Sequence, residues 1–363
     1  MPRQWKCAVV GAGTVGRSHI RLIPQLPAVA KLVAACDHVP ARAEAELQRN
    51  RLPSVPVYED MAKMLKEQPE IEVVHLATPS GAHLESALMA IEAGKHIICE
   101  KPLEVTLDRV DKMINAAKAK GVKLGCIFQG RWKEDNRAVK QAAMDGRFGR
   151  ISWAGAFTPW YRPDKYYEET SWHGTWKLDG GGAAMNQGIH AVDLLQWIVG
   201  PVKSVSAYGG NRSHTKIETE DAISASLEFE NGAYGSIVCT TAMYPGMPTR
   251  LEIGGEHGTA VLENGLKSFS FQDRKPSDHE LVEKLGPAAK PAAPFSGAQA
   301  NPAAISADLH GRNISSILTS WAEGKEAETN GPEARKAIAI VLAMYESAKN
   351  GGNAVKVDYG SLG

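Results

Sequence analysis

One stretch near the N-terminus restricts the fold more than any other. The apolar run KCAVV at Lys6–Val10 is followed at once by Gly11-Ala12-Gly13-Thr14-Val15-Gly16 and a helical pattern from Arg17 to Leu26. This is GxGxxG in the setting that gives it meaning: strand, tight turn, helix. Gly11 permits the turn, Gly13 lets a backbone approach a pyrophosphate, and Gly16 lets the helix sit close on the strand. Phosphates would lie at the helix N-terminus, where N–H groups point outward, which brings Thr14 and Val15 into the site. Glycine-rich turns are common, so the motif alone is weak. Here a second strand, Lys31–Cys36, ends at Asp37, about twenty residues on, where the fingerprint wants a carboxylate for the ribose hydroxyls. A strand-end cap is the plainer role for Asp37; the glycines favour the ribose. A carboxylate there also repels a 2′-phosphate, so NAD is expected over NADP, with His38 and Arg42 close enough to soften the preference.

The αβ alternation then continues. Helical patterns at Asp60–Lys66, His83–Ala93 and Val105–Lys120 separate apolar runs at Glu72–Ala77, Lys95–Cys99 and Val122–Ile127. Such alternation implies a parallel sheet with right-handed crossovers, and ligands then bind at the carboxyl ends of the strands. Thr78, Pro79, His83, Glu100, Lys101 and Gln129 all fall at or just past such ends and are expected around the cofactor. Lys101 precedes Pro102, which holds it extended beyond its strand. A surface lysine in a turn is the bland alternative to a cation at the nicotinamide end.

Composition excludes several partners. Lys+Arg and Asp+Glu are both 41 in 363 residues, so the formal charge is zero, which argues against a nucleic acid or an anionic membrane. No apolar run approaches the roughly 20 residues of a membrane span. The N-terminus runs directly into a strand, with no room for a signal peptide. Five cysteines, each in or beside an apolar run and none in CxxC spacing, suit reduced thiols in the cytoplasm. No Cys/His cluster has zinc-ligand spacing, so no metal is expected.

A second constellation lies at GGGAAMNQGIHAVDLLQWIV, Gly180–Val199. Ile189, Val192, Leu195 and Ile198 recur at helical spacing, and Gly200-Pro201 end the run. In a continuous helix Asn186, His190 and Asp193 share one face. A lone histidine among leucines is more often a satisfied core group. Three polar groups on one apolar helix are costly to bury unless they pair or meet a ligand. Upstream lie Arg131 after the last αβ strand, then Arg162, Trp176 and Lys177 in an aromatic-rich segment. These are expected to line a substrate pocket, against the alternative that they cover a sheet edge or an interface. Strand patterns follow at Ile151–Thr158, Val202–Tyr208, Ala222–Glu230, Ala233–Thr241, Thr249–Gly254 and Gly258–Glu263, with a hairpin signal at Glu230-Asn231-Gly232-Ala233. A run of strands after an αβ section predicts an α+β second domain. The Pro/Ala-rich stretch 286–304 reads as a surface loop or an arm to a neighbouring subunit. Ile305–Ala322 and Glu333–Lys349 read as helices.

Four pieces, GAGTVGRSHI (11–20), ATPSGAH (77–83), AGKHIICEKPL (93–103) and GGGAAMNQGIHAVDLLQWIVG (180–200), lie in order across both halves. On them the chain resembles the Gfo/Idh/MocA family of sugar and cyclitol oxidoreductases. The resemblance implies a Rossmann domain, residues 1–127, followed by a substrate-binding and oligomerisation domain, residues 128–363. The second domain would hold a large, mostly antiparallel sheet whose open face makes a homo-oligomer, dimer or tetramer. It also implies that Lys101 is catalytic or orienting and that His190 is the family's helix histidine. Many members carry Asp four residues before that histidine; this chain has Asn186, which cannot ionise. The Asn-Gln-Gly-Ile-His form resembles the branch with UDP-N-acetylglucosaminuronate 3-dehydrogenases and related carbohydrate 3-dehydrogenases.

The expected chemistry is hydride transfer between NAD and a secondary hydroxyl of a sugar, sugar acid, glycoside or cyclitol, at C3 in the branch just named. His190 would take the hydroxyl proton, Lys101 would offset the alkoxide charge, Asp193 would orient the imidazole and Asn186 would hold a hydroxyl. The alternatives are NAD-assisted glycoside cleavage through a transient 3-keto sugar, and a non-catalytic NAD-binding regulator.

Overall fold

The computed structural model describes residues 3–287 and 307–360. All but the first two residues of the Pro/Ala-rich stretch 286–304 therefore lie outside the described residues. The chain divides into two compact units. The first comprises Met1–Gln129 and Ser306–Arg335, the second Gly130–Ile305 and Lys336–Gly363.

The first unit holds six strands: β1 (Trp5–Val10), β2 (Ala30–Cys36), β3 (Val57–Tyr58), β4 (Val73–Leu76), β5 (His96–Cys99) and β6 (Leu124–Cys126). Their order is β3-β2-β1-β4-β5-β6 and every pair is parallel. This is the doubly wound arrangement that the alternation predicts, with the order reversing between β1 and β4. Local signals set the helix ends. Thr106 caps the Leu107–Lys120 helix by accepting from the Arg109 N–H, and Gly121 ends it in the left-handed region at φ 65°. The Pro40–Arg49 helix and the two-residue β3 are additions that periodicity does not mark.

A boundary at residue 127 with everything later in one domain is not what the structure shows. The helix Ala307–Ala322 returns to the first unit. Its Ile314, Ile317, Leu318 and Trp321 recur at i, i+3, i+4 and i+7 and bury against Trp5, Cys7, Val73 and Ile98. The Trp5 indole N–H donates to the Leu318 carbonyl at 3.0 Å, and Arg335 pairs with Asp111 at 2.6 Å. An apolar stripe states that a helix must bury one face; it does not state which core receives it.

The second unit is built on an eight-stranded sheet of β7 (Ile151–Pro159), β8 (Val202–Gly210), β9 (Ala222–Phe229), β10 (Tyr234–Thr240), β11 (Arg250–Gly255), β12 (Gly258–Glu263), β13 (Leu266–Phe271) and β14 (Val355–Lys356). The order is β13-β12-β11-β7-β10-β9-β8-β14, antiparallel except for the β7–β10 pair. Side chains alternate as a half-buried sheet requires. Val205, Ala207, Ile223, Ala225, Leu227, Ile237 and Cys239 are buried, while Lys203, Ser224, Ser226, Tyr208 and Tyr234 face outward. Gly232, at φ 84°, makes the expected β9–β10 turn. β13 and the Pro276–Leu285 helix had no strong periodic signal.

In the first unit, two glycines of the opening motif have no room for a side chain. A Cβ on Gly16 would stand 1.8 Å from the Gly11 carbonyl oxygen, and one on Gly11, already at φ 91°, would stand 2.5 Å from the Ala77 oxygen. Gly16→Ala should lower the unfolding free energy by about 2–3 kcal/mol, the cost of overpacking, in urea denaturation; an unchanged midpoint would show that the turn relaxes freely.

Candidate active-site residues

At the carboxyl ends of β1 and β2, the Thr14–Leu22 helix starts from Gly13 with no side chain capping its first turn. A Cβ on Gly13 would meet nothing within 4 Å, so open space adjoins the backbone where a pyrophosphate is expected. Asp37 is 6 % exposed. Its Oδ2 accepts from the Ala12 N–H at 2.6 Å and its Oδ1 from the Val39 N–H at 2.8 Å. Asp37 thus braces the glycine turn itself. A carboxylate has about four acceptor positions, so these two bonds leave capacity for ribose hydroxyls. His38 Nδ1 and Arg42 Nη1 lie 3.4 and 3.8 Å from Oδ1. The donor set fits NAD: an uncrowded glycine, a helix start without a side-chain cap, and a carboxylate held at the end of β2.

Beyond β4 and β5 the structure redistributes several expected cofactor contacts. Thr78, Pro79, Gln129 and Lys101 are partly exposed, and Lys101–Pro102 is a cis peptide. His83 does not face outward. It is 1 % exposed, with Nδ1 3.0 Å from the Pro102 carbonyl and Nε2 3.0 Å from the Thr78 carbonyl. Carbonyls only accept, so the neutral ring donates to one at a time; burial pushes its pKa down, against Glu104 and these bonds. His83 braces the two loops rather than the cofactor. Glu100 is likewise turned inward, with Oε1 2.8 Å from His19 Nε2 and 3.6 Å from His310 Nε2. Burial alone would raise its pKa. The His19 hydrogen bond, with the positive charge around the carboxylate, outweighs burial and holds it at about 2. Glu100 is therefore an ionised group held from the core side through Oε1. Both corrections have one cause: position at a strand end does not say whether a side chain points out of the sheet or back into it.

In the second unit, Gly180–Val199 is not one continuous α-helix. Ala183–Gly188 forms a π-helical turn and the α-helix begins at Ile189. Crowding around this turn requires glycine. A Cβ on Gly181 would stand 2.2 Å from the Tyr345 hydroxyl, on Gly182 1.8 Å from the Glu220 carbonyl, and on Gly188 2.3 Å from Cys239 Sγ. Glu220 clamps the turn, accepting from the Gly182 and Ala184 N–H groups at 2.8 Å each and from the Tyr345 hydroxyl at 2.9 Å. Wider turns change which residues align, so the three-residue polar face does not form as expected. Asn186 and His190 are partly exposed, whereas Asp193 is buried.

Asp193 pairs instead with Arg131, through Nε–Oδ2 at 2.8 Å and Nη2–Oδ1 at 2.5 Å, both side chains being 1 % exposed. Such a bidentate pair offsets its own desolvation. It removes Arg131 and Asp193 from the expected substrate contacts. Arg162 is also buried, its guanidinium stacked near Trp160 and Tyr166, with a 2.8 Å bond to the Tyr161 carbonyl. Trp176 and Lys177 are exposed. Trp176 meets Tyr345 edge-on and lies under Lys349.

One residue that sequence reasoning missed bears on Asn186. Asp179 is 2 % exposed; it accepts from Asn186 Nδ2 at 2.7 Å and from the Gly174 N–H at 2.9 Å. The carboxylate fixes which end of the amide is which: Asn186 donates to Asp179, and its Oδ1 points elsewhere as an acceptor. Asp179 lies just before the glycines, outside any helical spacing, so no periodic signal marks it. Among the described residues no cluster of His, Cys, Asp and Glu is arranged to hold a metal ion, and no helix is long and apolar enough to cross a membrane.

A doubly wound unit with this glycine turn and carboxylate, in one chain with a helix presenting a histidine and a preceding π-turn presenting an amide, defines a nicotinamide-dependent oxidoreductase. The chain belongs to the GFO/IDH/MocA oxidoreductases: residues 5–128 match the oxidoreductase family with NAD-binding Rossmann fold, and residues 136–261 match the GFO/IDH/MocA C-terminal domain. The WlbA dehydrogenase of Bordetella pertussis, solved with NADH and UDP-GlcNAcA, is 31% identical, with 98% of each chain covered and a TM-score of 0.86. D-apiose dehydrogenase of Paraburkholderia graminis is 26% identical over 96% of this chain and 89% of its own length. Inositol 2-dehydrogenase of Agrobacterium fabrum is 28% identical over 71% of this chain and 73% of its own. The protein is an NAD(H)-dependent oxidoreductase of carbohydrate-type hydroxyls.

The Glu220 clamp has a pH signature. Burial, outweighing the hydrogen bonds it accepts, raises the pKa to about 7. A carboxyl raised on folding contributes stability that is fully present below its unfolded pKa and is lost as pH rises through the folded one. From pH 5 to 8 the wild type should therefore lose on the order of 2–3 kcal/mol relative to Glu220→Gln, read by urea unfolding at each pH. Parallel pH dependences for the two proteins would refute the shift.

Proposed function

We propose that this enzyme oxidises a secondary hydroxyl, at C3, of a sugar acid or its nucleotide-linked form, with Lys101 and His190 as the catalytic residues. The observation that carries this reading is the helix Ile189–Val199. Its face toward the core is closed, its acid is tied to Arg131, and His190 with Asn186 remains partly exposed. The likeness to the WlbA dehydrogenase over 98% of the chain supports the substrate class.

Bound NAD supplies the hydride acceptor. Asp37 would hold its ribose, and Gly11, Gly13 and Gly16 with the N–H groups of Thr14 and Val15 would hold its phosphates; Thr78, Pro79, His38 and Gln129 line the same strand ends. His190 takes the proton of the reacting hydroxyl as the carbon becomes a ketone. The Lys101 ammonium offsets negative charge on that oxygen. Asn186, held by Asp179, accepts from a neighbouring hydroxyl through Oδ1. Trp176 and Lys177 are the side chains we assign to the ring and acid group of the substrate.

Lys101→Ala and His190→Ala should each lower kcat by about 10²-fold or more, the usual worth of acid–base and charge stabilisation, while NADH affinity by fluorescence stays within a few-fold. Wild-type rates in both would refute the assignment. Uronic acids, nucleotide-linked uronic acids, free sugars and cyclitols are the panel for NADH formation; reduction of NAD by cyclitols alone would refute the substrate class. NADH accumulating in proportion to product separates dehydrogenation from a redox-neutral cleavage.

We also propose that the outward face of the second unit's sheet, where Tyr208 and Tyr234 are 71 % and 66 % exposed, joins copies of the chain, and that the protein is cytoplasmic, in keeping with five buried free cysteines. Light scattering should show a dimer or tetramer, and Tyr208→Glu with Tyr234→Glu should dissociate it. A monomeric wild type would refute this.

A further inference from the structure

Two buried histidines, His19 and His310, meet the carboxylate of Glu100 in the first unit, a third, His75, reaches it through His19, and the chemistry assigned above uses none of them. His19, on the Thr14–Leu22 helix, and His75, in β4, are fully buried; His310, on the Ala307–Ala322 helix, is nearly so. His19 Nε2 is 2.8 Å from Glu100 Oε1 and His19 Nδ1 is 3.0 Å from His75 Nδ1. His75 Nε2 is buried with no hydrogen-bond partner among the described residues.

These contacts fix the direction of the chain. A carboxylate only accepts, so His19 Nε2 carries a proton. Between the two Nδ1 atoms there is room for one proton. If His19 supplied it, neutral His75 would carry its own proton on Nε2, a buried N–H without an acceptor. If His75 supplies it, Nε2 is a bare lone pair. Orphaned buried N–H groups are the rarer and costlier case. The arrangement that satisfies every donor is therefore His75 Nδ1–H to His19 Nδ1, and His19 Nε2–H to Glu100. Burial pushes the His75 pKa far down, consistent with a ring that stays neutral.

We propose that His75 and His19 are positioning residues for Lys101, acting as a one-way hydrogen-bond chain that holds the Glu100 carboxylate in place beside the lysine. The negative charge favours the ammonium form of Lys101, the form that offsets charge on the reacting oxygen. The proposal rests on the catalytic role given to Lys101 above. The titratable groups near Glu100 are His19, His75, His310, Lys101, His83 and the thiols of Cys99 and Cys126.

Two measurements test it. In the wild type, ¹⁵N spectra of the histidine side chains should show His75 as the Nδ1–H tautomer, unchanged from pH 6 to 9. An Nε2–H or titrating His75 overturns the chain. In kinetics, His19→Leu should move the basic limb of the kcat–pH profile down by about one unit, the size of a lost neighbouring charge, while NADH affinity is kept; His19→Gln, which still donates to Glu100, should restore it. An unmoved limb in a His19→Leu protein that binds NADH normally overturns the proposal. If His19→Leu does not fold, His75→Leu takes its place with the same two outcomes, a smaller downward shift or none. Lys101→Ala reports on the functional reading alone: full activity there would remove the lysine's role while leaving the tautomer result standing.

Discussion

The first unit depends on a backbone contact. With no Cβ at Gly16, the Thr14–Leu22 helix lies against the Gly11 carbonyl, closer than any side chain would allow. That approach does three things at once. It leaves the helix N-terminus beside an uncrowded Gly13, where a phosphate finds N–H donors. It brings Ala12 within reach of Asp37, so that the end of β2 holds the turn in shape. It also carries His19, one turn further along the same helix, against Glu100 at the end of β5. The dinucleotide turn and the buried charge network are consequences of one close packing.

The second unit solves a similar problem with a different device. Glycines at 181, 182 and 188 let a turn press against Tyr345, Glu220 and Cys239. Glu220 satisfies two N–H groups that a widened turn leaves without regular partners. Burying that carboxylate raises its pKa, and the local gain in order is set against a cost in stability above neutrality. π-turns often mark functional positions, and here the turn ends where Asn186 and His190 come to the surface.

Polar groups at the two candidate regions are held by other polar groups. Asp37 is held by Ala12 and Val39, Asn186 by Asp179, Asp193 by Arg131, and Glu100 by His19. Low local dielectric makes such pairs strong when complete and expensive when broken. The acid expected before His190 is thus not simply missing: a carboxylate from elsewhere in the chain bonds the amide that stands in its place, although it orients that amide and does not duplicate an acid there.

By itself the sequence determined the αβ alternation of the first unit apart from β3 and the Pro40–Arg49 helix, the glycine turn with Asp37, most of the strand run of the second, and His190 on an apolar helix. These rest on short-range physics: turn conformations that need glycine, side-chain periods of 3.6 and 2, and proline's hold on Lys101. Only the tertiary structure decided that Ala307–Ala322 buries in the first unit, that Glu100 and His83 point inward, that Arg131 takes Asp193, and that Asp179, His19, His75 and His310 matter at all. Those outcomes depend on which groups meet across separations that run from 5 to 313 residues of chain. Spacing along one element carries no information about a partner on another, and a buried polar group chooses its orientation by the partner it finds.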